Sequence, residues 1–226
     1  VRPPCVGHCD AAVGGGTEGA TICLAPRACH LDLLRRCVIV AAMTNSFCQT
    51  TCRSAWECEA VQDVATGEIC AARKGVIRAG ALGSCVAVAL MDLETGVGGM
   101  AHVMLPGQAP DTAPEPTRYA QDAISDLIAA MTDLGAQPDR LCAWLAGGGN
   151  VLERENDTVC DANIASVSAL LASSDIPVLA AHLGGRLRRS LSLDLNRARV
   201  TFTHGDSGAL TLWEAEPSFV DREVCR

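Results

Sequence analysis

The sequence predicts an α+β fold, a layered α/β sandwich with mixed sheets. Short apolar runs separated by turn residues indicate strands, and two segments with helical spacing lie between them. Tight turns join some neighbouring strands, so we expect hairpins rather than a doubly wound parallel sheet. The predicted domain spans residues 61–205, with an N-terminal extension at 1–60 and a C-terminal tail at 206–226.

The first half of the predicted domain contains a hairpin. Apolar residues indicate a short strand at Val76–Ile77 and a longer one at Val86–Asp92. A turn at Glu94-Thr95-Gly96 then leads into a returning strand, Gly98–Leu105. Residues 106–116 contain four prolines, which lack the amide hydrogen that a strand ladder needs. We therefore expect an irregular loop after the hairpin.

Two helices are predicted after this loop. Thr117–Leu134 places its apolar residues at the spacing of one helical face, and Gly135 supplies the residue type that commonly ends a helix. Asn163–Ala172 has a similar pattern. The remaining predicted strands are Leu141–Ala146, Val178–Ala181, Ser190–Leu195 and Val200–Thr203.

Composition limits the classes of function. Hydrophobic residues make up 49% and charged residues 19%, the balance of a globular protein with a sizeable core. A formal net charge of −8 provides no basic surface for a phosphate backbone, so nucleic acid is not an expected partner. No apolar run approaches the roughly 20 residues of a membrane-spanning helix, so we expect no membrane insertion.

The cysteines divide the chain into two parts. Nine of the thirteen lie at or before Cys70, and their sparseness afterwards favours a reducing cytoplasm. Residues 1–60 show no readable periodicity, and they lack a starting Met. Three explanations stay open: a cysteine-rich appendage of no catalytic consequence, a metal module, or sequence upstream of the true start that was translated in error. The pairs Cys5/Cys9 and Cys48/Cys52 fit zinc spacing only loosely, so we favour the appendage.

The residues that suggest chemistry are Cys85 and His102, one on each predicted hairpin strand. A free cysteine in an apolar run is more often structural, and a histidine there is often a core residue. Hairpin geometry favours a functional interpretation of the pair. If the turn centres between Glu94 and Thr95, Cys85 opposes Met104, and His102 lies on the same face of the hairpin as Cys85. Such diagonal neighbours have Cα atoms roughly 7–8 Å apart. A slip of one residue would place them on opposite faces.

Two strings carry a family resemblance. Leu82-Gly83-Ser84-Cys85, followed by Ala101-His102-Val103-Met104-Leu105-Pro106, closely resembles the signature of the CheD chemoreceptor glutamine deamidases. Further segments follow in the order that the family shows: Arg118-Tyr119-Ala120, Leu134-Gly135-Ala136, Ala146-Gly147-Gly148, Ile176–Ala180 and Gly184-Gly185-Arg186. The resemblance covers about Val61 to His204.

The resemblance implies a CheD-like cysteine hydrolase fold and a protein-glutamine glutaminase activity. Cys85 would be the nucleophile, and His102 its base and acid, converting receptor glutamines to glutamates. The expected substrates are methyl-accepting chemoreceptors in the cytoplasm, the CheC phosphatase is an expected partner, and no metal or organic cofactor is implied. A neighbouring imidazolium would lower the pKa of the thiol. The small residues Gly83 and Ser84 let backbone amides approach an oxyanion.

The sequence departs from the family at two places. Ala79 and Gly80 stand where the family has an active-site threonine, and Val159–Ala162 is altered ahead of Asn163. A missing hydroxyl would leave the imidazole less well oriented. An alternative function therefore stays open: a catalytically weak or inactive adaptor that binds chemoreceptors or CheC.

Overall fold

The computed structural model describes residues 61–155 and 158–216, together with the backbone of 20–23. These residues form two β-sheets and two α-helices. The strands are β1 Ala20–Cys23, β2 Val61–Asp63, β3 Ile69–Ala72, β4 Val76–Leu82, β5 Val86–Asp92, β6 Val97–Val103, β7 Leu141–Gly147, β8 Val178–Leu183, β9 Arg189–Asp194, β10 Arg199–His204 and β11 Leu210–Glu214. The helices are α1 Ala120–Asp133 and α2 Val159–Ser173.

Both sheets are mixed. The larger has the strand order β1-β8-β7-β5-β6-β3, in which only β7 and β8 pair in parallel. The smaller has the order β11-β10-β9-β4-β2, in which only β2 and β4 are parallel. Antiparallel hairpins such as β5–β6 and β9–β10 account for this arrangement, because short turns can join only antiparallel strands. The predicted α+β class is confirmed.

Strand β5 lies at the centre of the larger sheet and is buried on both faces. Val86, Val88 and Leu90 pack against the helices, whereas Ala87 and Ala89 face the smaller sheet. This alternation follows from the two-residue period of a strand. The two faces belong to two apolar clusters, one under α1 and α2 and one between the sheets. The molecule therefore has three layers, helices, sheet and sheet, and the larger sheet is the middle one.

Helix boundaries differ modestly from the predicted ones. A short 3-10 turn, Pro116–Arg118, precedes α1, so that the α-helix starts at Ala120. Gly135 has a φ of +93° and follows the helix end, as predicted. Helix α2 begins at Val159, four residues before the predicted start.

Several short strands were not predicted. Strands β2 and β3 precede β4, and β11 lies within the segment assigned from sequence to a C-terminal tail. Strand β11 pairs with β10 and so extends the smaller sheet. Residues 20–23, inside the predicted extension, form an edge strand beside β8. The cysteine pairs considered for zinc lie outside the described residues.

Two properties of the described residues bear on the class of protein. Neither α-helix has the length and apolar character that crossing a bilayer requires. Within the same residues, no three His, Cys, Asp or Glu side chains are grouped so that they could hold a metal ion.

Candidate active site

The β5–β6 hairpin places Cys85 and His102 on one face. The ladder pairs Val86 with Val103 and Ala87 with His102, which is the register predicted from the turn. Residues directly opposite each other share a face, and Cys85 lies two residues before Ala87, so Cys85 shares that face as well. Cys85 packs against the apolar cluster between the sheets. Both side chains therefore belong to the inter-sheet layer.

The ring of His102 is held by one hydrogen bond to the main chain. Its side chain is buried, with the residue only 3% exposed, and Nδ1 lies 3.2 Å from the carbonyl oxygen of Val64. A carbonyl oxygen only accepts, so Nδ1 carries the hydrogen and Nε2 keeps its lone pair. Nε2 is buried and has no hydrogen-bond partner. The site therefore contains an imidazole nitrogen that is free to accept a proton.

Burial keeps this imidazole neutral. Desolvation lowers the pKa of His102, and the bond to Val64 and the charge of Glu68 oppose that effect only in part. The lowered pKa favours the unprotonated ring near neutral pH, the state in which Nε2 keeps its lone pair, and it also makes that nitrogen a weaker base.

Cys85 is a half-buried free thiol. Burial raises the pKa of this thiol, and the residue's own backbone amide opposes the shift. Burial thus disfavours the charged form of both side chains, and no hydrogen bond joins His102 Nε2 to the Cys85 thiol among the described residues. The thiolate expected from the sequence stays a prediction.

The segment that carries Cys85 is fixed by hydrogen bonds to three consecutive carbonyl groups. Gly149 N donates to Gly83 O at 2.7 Å, Asn163 Nδ2 to Ser84 O at 2.9 Å, and Gly148 N to Cys85 O at 2.8 Å. In a trans peptide the amide hydrogen points away from the carbonyl of the same unit. The amides of Ser84 and Cys85 therefore point away from these donors, and neither donates a hydrogen bond to another described residue.

The last residue of β7, Gly147, and the glycine after it allow the backbone to approach Cys85 closely. A Cβ added at Gly147 would lie 2.2 Å from the carbonyl oxygen of Cys85, and Gly147 has a φ of +119°. A Cβ added at Gly148 would lie 2.5 Å from the side chain of Ile164 in α2. From the sequence, Gly147 and Gly148 were identified only within a segment that resembles the family, and their closeness to Cys85 was not predicted. A run of glycines directly after a buried strand was the available signal.

The positions that replace the family threonine provide no hydroxyl. Ala79 is fully buried in β4, and a Cβ added at Gly80 would meet nothing within 4 Å. The pairing of β4 with β9 shifts register between Ala79 and Leu82, and Ala81 has a φ of +53°. In this chain the carbonyl of Val64 supplies the contact that orients the imidazole.

Comparisons with known proteins identify the family of this chain. The family model described as CheD chemotactic sensory transduction matches residues 104–204, just beyond His102. A probable chemoreceptor glutamine deamidase CheD from Chlorobium luteolum is 40% identical over 144 residues, 63% of this chain and 72% of that protein. A chemoreceptor glutamine deamidase CheD from Thermotoga maritima is 36% identical over 126 residues, 56% of this chain and 80% of that protein. The chain belongs to the CheD family.

Proposed function

We propose that this protein is a protein-glutamine deamidase that converts glutamine side chains of chemoreceptors to glutamate. The observation that carries the proposal is the shared face of Cys85 and His102, with His102 Nε2 buried and unpartnered. The names of the relatives from Chlorobium luteolum and Thermotoga maritima support the substrate class. In this proposal the layered α+β domain is a cysteine hydrolase fold acting on receptors in the cytoplasm.

The first chemical step starts from neutral partners. As Cys85 Sγ attacks the carboxamide carbon of a glutamine, His102 Nε2 takes the thiol proton. A C–S bond forms and the C=O π electrons move onto oxygen. The imidazolium then protonates the nitrogen, the C–N bond breaks, and ammonia leaves behind a thioester.

The second step returns the enzyme to its resting state. His102, again neutral, takes a proton from water as the water oxygen attacks the thioester carbon. The C–S bond breaks, glutamate forms, and the thiol of Cys85 recovers its proton. Neither step needs a metal or an organic cofactor.

The oxyanion in both steps needs hydrogen-bond donors. The amides of Ser84 and Cys85 fit this role because the carbonyls of the segment are fixed on the other side. Gly83 adds no side chain to this segment, and a Cβ added there would make only an ordinary van der Waals contact with Val151 at 3.7 Å. Gly83 and Ser84 thus stay candidates for the oxyanion segment.

A second function is favoured by two observations. Ala79 and Gly80 replace the family threonine, and burial raises the pKa of the Cys85 thiol. In that alternative the protein is a catalytically weak adaptor that binds chemoreceptors or the CheC phosphatase.

The test combines catalysis with binding. Wild type, Cys85→Ala and His102→Gln are incubated with a chemoreceptor cytoplasmic fragment, and ammonia release is followed together with mass-spectrometric conversion of glutamine to glutamate. The enzyme proposal expects release by wild type and none by Cys85→Ala. Equal, negligible release by all three proteins, with retained capture of the fragment, supports the adaptor instead.

A further inference from the structure

A buried amide side chain joins the ends of the two strands that carry the proposed catalytic pair. Asn163, in α2, is fully buried, and its Nδ2 lies 2.9 Å from Ser84 O and 3.0 Å from Met104 O. Both neighbours are carbonyl oxygens, so only the nitrogen of the amide can bond to them. One side chain thus donates a hydrogen bond to each of the two chain segments at the open end of the hairpin, just before β5 and just after β6.

These two carbonyls lie where the strand ladder has ended. The last pair of β5 and β6 is Val86 with Val103, one residue short of Cys85 and Met104. The amide of Met104 bonds to Arg118 O instead of to β5. The separation of the strand ends at Cys85 therefore depends on contacts from outside the hairpin, and Asn163 makes one to each end.

An asparagine at position 163 is unfavourable if the only role of the residue is to pack against its neighbours. Its Oδ1 is buried without a hydrogen-bond partner among the described residues, and an unsatisfied buried acceptor destabilises the folded state. Val167 and Leu171, one and two turns further along the same face of α2, are apolar and fully buried. An apolar side chain at 163 would continue that face without this cost but would leave both carbonyls without a donor.

We propose that Asn163 is a positioning residue for the deamidation reaction. By bridging Ser84 and Met104, it sets the distance between the thiol of Cys85 and the imidazole of His102. The inference rests on the proposed function, since it assigns Asn163 to the same site. It also connects α2 to the nucleophile by a second route, beside the packing of Ile164 against Gly148.

The test uses variants that remove the donor and a control that weakens the same helix. Asn163→Leu keeps a branched side chain of four heavy atoms but removes the donor, and Asn163→Ala is the second variant in case the bulkier leucine prevents folding. Val167→Ala is the matched control because it removes apolar contacts from the same face of α2 and touches neither carbonyl. Folded fraction is measured by urea unfolding, and rates are expressed per folded molecule.

Two readouts separate positioning from general destabilisation. Receptor deamidation should lose roughly 10–100-fold in kcat in the Asn163 variants, with KM changed by less than about twofold, because the misplacement affects reacting groups rather than substrate binding. Alkylation of Cys85 by iodoacetamide, quantified by peptide mass spectrometry, should lose more of its rate near pH 7 than near pH 9. The reason is that a displaced imidazole no longer accepts the thiol proton.

Every result of these measurements either supports or overturns the positioning role of Asn163. Val167→Ala should keep the wild-type kcat and alkylation profile, and an equal loss there would overturn the proposal. Wild-type values in both Asn163 variants would also overturn it. If wild type itself shows no deamidation, the proposed function fails, and the alkylation profiles alone then support or overturn the role of Asn163.

Discussion

Replacing Gly147 by alanine tests whether the glycine segment Gly147–Gly149, which begins at the last residue of β7, holds Cys85, the proposed nucleophile, in place. The added methyl group would lie 2.2 Å from the carbonyl oxygen of Cys85, whereas real Cβ contacts essentially never fall below 3.0 Å. The Cys85 carbonyl, or the loop, must therefore move by about 0.8 Å. The contacted atom belongs to the backbone, so no flexible side chain can absorb the movement.

The same substitution imposes a backbone cost. Gly147 has a φ of +119°, a conformation that L-residues rarely adopt, and left-handed conformations cost roughly 1–2 kcal/mol per residue. We expect a larger loss of unfolding free energy than this because the clash adds to it. A displacement near 1 Å at a reacting group can lower the rate by about 10²-fold, so kcat should fall by that order.

Gly96→Ala is the control for the backbone cost. Gly96 has a φ of +70°, and an added Cβ there meets nothing within 4 Å. It lies in the turn of the same hairpin, at the end opposite to Cys85. Urea unfolding and receptor deamidation are measured for both variants. The two deamidation rates are compared per folded molecule. If the rate of Gly147→Ala is within about twofold of that of Gly96→Ala, the idea that this segment positions Cys85 is refuted.

Three further predictions follow from burial and charge. Burial, together with the charges of Arg189 and His204, lowers the pKa of His182 to about 4. The unfolded chain protonates a histidine near pH 6.5, so the stability from neutral His182 is complete above that pH and is lost as the pH falls towards 4. His182→Gln should flatten this part of a plot of urea-unfolding free energy against pH, and an unchanged slope would contradict it. Asp92→Asn removes the charge of a buried carboxylate that Arg140 contacts at 2.7 Å, and should lower the free energy of unfolding by about 1–3 kcal/mol without changing deamidation per folded molecule, since Arg140 is 33% exposed and keeps its contact with Glu94. A change within experimental error would show that the pair contributes nothing. Cys85 should be alkylated faster than the buried Cys142 and Cys160, at a rate still rising at pH 9 because its pKa is raised. A plateau near neutral pH would indicate a thiolate instead.

The hairpin at the centre of the site could be predicted because its determinants are local. The turn at Glu94–Gly96 and the lengths of the two apolar runs fix the register, and the ladder from Val86↔Val103 to Asp92↔Val97 has that register. Helix α1 was predicted for the same reason, since its apolar spacing and Gly135 lie within one segment.

The contacts that hold the site could not be predicted because they join distant segments. Asn163 lies 79 residues after Ser84, and nothing in a helical pattern indicates which carbonyl a buried amide will meet. Strands β2 and β3 have only three and four residues, too few for an alternating pattern to stand out. Periodicity reports which face of an element is buried, but it does not identify the partner across that face.

The pKa shifts of Cys85 and His102 and the proposed catalysis have one physical cause. Desolvation raises the pKa of Cys85 and lowers that of His102, so charge separation is unfavourable until an electrophile is present. When sulfur attacks an amide, the negative charge passes to the carboxamide oxygen, where the amides of Ser84 and Cys85 can stabilise it without reorganisation. The low polarity that disfavours the resting thiolate strengthens those hydrogen bonds. A polar group introduced beside Cys85 would therefore raise the thiolate fraction at rest while weakening the stabilisation of the transition state, and faster alkylation with slower deamidation would be its signature.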